Sequence, residues 1–166
     1  MSKVLAFDQS TKLSAYSWWI DGKYIESNYI DLHKMKDTSE RVRAMGVELC
    51  RIIKKYNPDK VIIEEVAQQS SALTLKLLAR IQGIIIGFCA AHNIQTYIVE
   101  PSKWRSTLNF SQGAGVKRPE LKAQAIDYIK DNLGLELSED ECESICIGIA
   151  AHKIYNFTND DIWGED

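Results

Sequence analysis

The chain has 166 residues, 45% of them hydrophobic and 26% charged, with a net charge of −3. That length and balance predict one soluble globular domain burying roughly 70% of its unfolded surface. The longest apolar run, "IIIGFCAA" at 84–91, is too short to span a bilayer, and the acidic total argues against a uniformly basic nucleic-acid binder. The four cysteines (Cys50, Cys89, Cys142 and Cys146) show no disulfide-like spacing and no signal-peptide pattern opens the chain. Both point to a reducing, cytoplasmic compartment.

Residues 3–8 read as a strand, 14–20 ("SAYSWWI") as a second and 23–31 as a third, with Asp21-Gly22 between the last two as a hairpin signal. Val42, Met45, Leu49, Ile52 and Tyr56 recur at helical spacing before Asn57-Pro58. "KVIIEEV" at 60–66 is a β-branched run that fits a buried strand reached by a crossover helix. A long helix is predicted over 71–92, with Leu73, Leu77, Ile81, Ile84 and Phe88 as its stripe. Gly83 and Gly87 lie four apart on it, so another backbone can approach closely, either the chain's own sheet or a partner subunit.

"IQTYIV" at 94–99 reads as a strand ended by Pro101, and 107–118 as a mobile loop. A helix is expected over 119–133. A last one begins at "SEDE", where Ser138 and Glu141 have capping-box spacing. The order is βββαβαβαα, an α/β arrangement with a mixed sheet. It predicts a single domain over 1–157 and an acidic, fraying tail over 158–166. Trp18 and Trp19 face opposite sides of their strand, which suggests one for the core and one for DNA or a neighbouring chain. Cys142 and Cys146 could join His152 on a metal, although small core residues are the usual reading of such a pair.

Charge is segregated. Lys103, Arg105, Lys117, Arg118 and Lys122 cluster with one acid, Glu120, whereas 131–143 carries six acids and no base. Asp8 ends the first strand in "VLAFDQST", and Glu64 stands near the end of the fourth. The capping box puts Asp140 and Glu143 on one face of the last helix. If those two strands are neighbours and that helix crosses their ends, four carboxylates meet. Such an anionic, oxygen-rich site suits Mg²⁺ or Mn²⁺, and two such ions can activate water and stabilise a leaving oxygen in phosphodiester cleavage.

In "LAFDQSTKLSAYSWW", "VIIEEV", "KLLARIQGIIIGFCAAH" and "EDECESICIGIAAH" the chain resembles the RuvC family of Holliday junction resolvases, in the ribonuclease H-like superfamily, and specifically a bacteriophage-encoded branch. The resemblance runs from Lys3 to Lys153. It implies a ribonuclease H-like fold with a mixed five-stranded sheet, and a homodimeric endonuclease that cuts branched DNA with two Mg²⁺ per site.

On the matching positions, Asp8, Glu64, Asp140 and Glu143 would be the metal-holding catalytic acids. Lys122 would be a catalytic lysine near the scissile phosphate, and Arg105 would stand where a catalytic-loop lysine is usual. Lys103, Arg105, Lys117, Arg118 and Lys122 would form the DNA-facing surface. Ile63-Glu64-Glu65-Val66 matches the family's Ile-Glu-x-Val, which selects Glu64 over Glu65 where strand parity alone does not.

Two departures stand out. The family's first loop is Asp-Pro-Gly or Asp-x-Gly, against "DQST" here. Ala67 stands near the place of an aromatic wedge, which implies relaxed sequence specificity. Two rivals share the opening motif or the surface: a sugar kinase-like ATP-binding protein, and a non-catalytic branched-DNA binder.

Overall fold

A computed structural model describes residues 1–66 and 71–157. β1 (Lys3–Asp8), β2 (Leu13–Ile20) and β3 (Lys23–Asp31) form an antiparallel meander. Asp21 and Gly22 close its second turn with positive φ at both positions (49° and 74°), the geometry two-residue hairpins favour. α1 (Thr38–Tyr56) crosses over to β4 (Lys60–Glu64), and α2 (Ala72–Ala91) to β5 (Gln95–Val99). β4 and β5 run parallel to β1, giving the sheet order β3-β2-β1-β4-β5.

Pro101 does not merely end β5. It stands in the first turn of a short helix, α3 (Pro101–Thr107), because a missing N–H costs nothing there. α4 (Arg118–Leu133) and α5 (Glu139–Tyr155) complete the order βββαβαβααα, one helix more than the sequence pattern predicts. Three helices, α3, α4 and α5, cover one face of the sheet, and α1 and α2 cover the other.

Side-chain alternation divides the core between these faces. Val4, Ala6, Trp19, Ile62 and Val99 pack with α3, α4 and α5. Leu5, Phe7, Tyr16, Trp18, Val61 and Ile63 pack with α1 and α2. Trp18 and Trp19 do face opposite sides, but both are core residues. Trp18 lies 4.9 Å from the Tyr56 ring and is 7% exposed, so it is not a DNA contact in this structure. Cys142, Cys146 and His152 are buried on α5, and His152 Nδ1 donates to the Gly148 carbonyl at 2.7 Å. Among the described residues they form no grouping able to hold a metal.

α2 behaves differently from α5. By length and composition it is apolar enough to cross a membrane, and here it lies against the sheet with Leu77, Ile81, Ile85 and Cys89 buried. A methyl at Gly83 or Gly87 would meet nothing within 4 Å. Close packing on the chain's own sheet therefore does not explain these glycines.

α5 is buried on nearly all sides from Cys142 to His152, as expected of a helix apolar all round. It approaches the sheet closely at Gly148, where a Cβ would stand 2.5 Å from Trp19 Nε1. One turn earlier, Ser17 Oγ donates to the Ser144 carbonyl at 2.8 Å and accepts from Trp19 Nε1 at 2.9 Å. A one-carbon enlargement should therefore force α5 off the sheet. Gly148→Ala is expected to cost about 1–3 kcal/mol, the usual range for overpacking, measured by urea denaturation. An unchanged midpoint would mean Trp19 can move aside freely.

Candidate active site

Asp8 and Glu64 reach the same place because β1 and β4 are parallel neighbours whose hydrogen-bonded register ends at Phe7 and Ile63. Ala6 and Ile62 both face the α5 side, so two residues further on Asp8 and Glu64 face it too. Parity, open in the sequence, is settled by Ile62. Glu65 belongs to the other face, where its carboxylate accepts from Gln82 Nε2 of α2 at 3.1 Å and from the Val66 amide at 2.8 Å.

Past the end of the ladder, the Gln9 side chain substitutes for backbone pairing. Its Nε2 donates to the Glu64 carbonyl at 2.5 Å and its Oε1 accepts from the Glu64 amide at 3.2 Å. α5 brings the remaining acids from its first two turns. Ser138 Oγ caps it by accepting from the Glu141 amide at 3.4 Å, and donates to the Glu141 carboxylate at 2.7 Å. Asp140 and Glu143 then project toward β1. One oxygen from each of Asp8, Asp140 and Glu143 lies within 4.8 Å of the others.

Glu64 stands beside this trio and not within it. Its Oε1 accepts from Trp104 Nε1 at 2.8 Å, with the Arg105 guanidinium at 3.8 Å. Lys122 is the cation of the cluster, 2.5 Å from Glu139, 3.3 Å from Asp140 and 4.0 Å from Glu143. Glu139, in the first turn of α5, is thus also its partner.

The other basic residues differ in burial. Lys103, Lys117 and Arg118 are exposed. Arg105 is half-buried, its guanidinium 4.9 Å from the Trp104 ring and its buried Nε without a partner among the described residues. The segment expected to be a mobile loop is tied down in its first half. Phe110 is buried against Trp104 and Tyr128, and Ser111 exchanges two hydrogen bonds with the Gln124 side chain. Ala67, the wedge position, and the tail over 158–166 lie outside the described residues.

The electrostatics follow from crowding. Burial, then Glu143, Glu64 and Asp140, push the Asp8 carboxyl well above its ordinary range. Burial also raises Glu64, against the Trp104 hydrogen bond and the Arg105 charge, and raises Glu143 against Lys122. Burial works against the Lys122 ammonium, yet Glu139, Asp140 and Glu143 leave its pKa raised. All-oxygen donors in a pocket short of positive charge fit a hard divalent cation.

Sequence reading missed Trp104 and Gln9. Trp104 was hidden because Pro101 read as a stop, which left α3 out. Gln9 read only as a departure from a family loop.

No family model matches the chain. A curated crossover junction endodeoxyribonuclease RuvC from Alkaliphilus oremlandii is 30% identical over 125 residues, covering 73% of this chain and 72% of the relative. The chain belongs to the RuvC family. The RuvC protein of Caldicellulosiruptor saccharolyticus is 28% identical over 138 residues, 80% of each chain. Among solved structures, Thermus thermophilus RuvC in complex with a Holliday junction substrate superposes with a TM-score of 0.70 at 13% identity, covering 94% of this chain and 95% of that one. The yeast mitochondrial Holliday junction resolvase Ydc2 gives 0.58 at 17% identity, covering 95% and 82%. The ribonuclease H-like fold of the RuvC family is the fold observed.

Raised carboxyl pKa values carry a sign for this RuvC-family chain. An acid whose folded pKa exceeds its unfolded one supports folding below the unfolded value, and that support is lost as pH rises through the folded value. Without divalent ions, Asp8→Asn should therefore melt higher than wild type at neutral pH, and the gap should close below about pH 4, where Asp8 is protonated in both the folded and the unfolded chain. Thermal melts across pH check this, and a variant less stable than wild type at neutral pH would contradict it.

Proposed function

We propose that this chain is a metal-dependent endonuclease that selects branched DNA by its structure and hydrolyses phosphodiester bonds in it, with Asp8, Glu64, Asp140 and Glu143 as the acids that hold the metal. The observation that carries this is the convergence of three carboxylates within 4.8 Å, flanked by a fourth, in a RuvC-family chain. Two Mg²⁺, replaceable by Mn²⁺, would supply an activated water and stabilise the leaving oxygen.

The chain's own groups do the rest. Lys122, anchored by three acids, presents a fixed positive charge where negative charge builds on the phosphorus oxygens. Arg105 holds a second positive charge beside Glu64, its terminal guanidinium nitrogen 3.8 Å from the carboxylate. Exposed Lys103, Lys117 and Arg118 extend this positive surface. These contacts reach the phosphate backbone and read no bases, so they favour shape over sequence. Residues 1–157 act as one nuclease domain in the cytoplasm. The acids argue against a purely binding role, since without metal they repel phosphate.

Symmetric cutting of a four-way junction requires two sites, which a two-fold homodimer provides. The exposed side of α2 is the surface for it. Leu73 is 61% exposed, Leu75 is 37% exposed, and Gly83 and Gly87 open a flat strip where another helix can lie close.

Two outcomes test this reading. Glu64→Gln and Asp8→Asn should lower Mg²⁺-dependent cleavage of a labelled four-way junction by more than the roughly 10–100-fold typical of outer-shell changes, while junction binding persists. Glu65→Gln, on the opposite face, should cut at a rate near wild type, and the reverse ranking would overturn the assignment. In sedimentation, wild type should run as a dimer and Gly83→Arg as a monomer. A wild type that stays monomeric both free and on DNA would remove α2 as an interface.

A further inference from the structure

We propose that Gln9 and Trp104 are positioning residues that hold Glu64 from two sides, one by its main chain and one by its carboxylate. The inference rests on the reading of the acid cluster as a divalent-metal site. Neither residue touches the trio of Asp8, Asp140 and Glu143 in a way that would make it a ligand.

Gln9 stands where the β1–β4 ladder stops. Strand ends separate easily when pairing runs out, and Asp8 and Glu64 are the residues at those ends. A primary amide offers one donor and one acceptor side, the same complement as a peptide group. Gln9 uses both on the Glu64 carbonyl and amide. The pairing thereby continues through a side chain, and the separation of the Asp8 and Glu64 backbones is fixed one step beyond the last backbone pair. Asparagine, a methylene shorter, would not span this gap.

Trp104 acts at the other end of the Glu64 side chain. Its indole N–H can only donate, and it binds Oε1, which leaves Oε2 for a cation. The ring itself cannot swing. It is 1% exposed and meets Phe110 edge-on at 5.7 Å, and Phe110 in turn meets Tyr128 of α4 at 5.7 Å. A carboxylate so gripped presents its free oxygen in one direction, as outer-shell partners of metal ligands do.

The test uses Mn²⁺ titration of the DNA-free protein, followed by the paramagnetic signal of the free ion, alongside single-turnover junction cleavage. Trp104→Phe keeps the ring packing and loses the N–H. Gln9→Met keeps the length and loses both hydrogen bonds, and Gln9→Asn tests reach. Each should weaken Mn²⁺ affinity by about 10–100-fold, leave junction affinity in EDTA unchanged, and recover its cleavage rate when Mn²⁺ is raised to saturation. Recovery distinguishes misplacement of Glu64 from general unfolding, which excess metal does not repair in the rate per bound site. Mn²⁺ affinity equal to wild type in Trp104→Phe and Gln9→Met would overturn the inference, whatever happens to melting temperature. A wild-type protein that takes up no Mn²⁺, free or on a junction, would instead overturn the metal-site reading beneath it.

Discussion

The depth at which α5 lies on the sheet is set at Gly148, where any side chain would run into the Trp19 indole. The Ser17 hydroxyl fixes the helix along its axis by bonding the Ser144 carbonyl. Position and height together determine where the first two turns of α5 end up, and those turns carry Asp140 and Glu143. A helix held further out would draw both acids away from Asp8. The convergence is therefore a consequence of small residues at 144 and 148 as much as of the acids themselves.

Bringing the acids together opposes folding. Asp8, Glu64 and Glu143 all carry raised carboxyl pKa values, with burial as the leading cause in each. The surroundings offset this unevenly. Lys122 neutralises the α5 side, and Trp104 and Arg105 serve Glu64. Asp8 lies under the influence of three other acids and has only the distant help of Lys122. Asp8 is therefore the acid whose charge the surroundings offset least.

Much of this was legible in residue patterns, for identifiable reasons. The three opening strands follow from alternation and one Asp-Gly turn, and the two crossover helices from apolar spacing. The acid pair on α5 follows from a capping box that fixes its phase. α3 was not legible, since a proline after a strand reads as a terminator unless the helix it begins is long enough to show a period. Its seven residues are not. Both faces of β2 are covered by helices, so the tryptophan pair gave no signal that distinguishes core from contact. Strand parity at Glu64 and Glu65 needed one tertiary fact, that Ile62 faces α5.

The missing element matters most at Glu64, because α3 carries Trp104 and Arg105. Through Phe110 the same tryptophan ring is packed to the start of the segment 108–117, which leads to Lys117 and Arg118. Arg118 is near enough to lower the Glu64 pKa against the effect of burial. The basic segment and the fourth acid are thus joined twice, once by aromatic packing and once by charge. The aromatic link ends at the Trp104 N–H, which holds the Glu64 carboxylate.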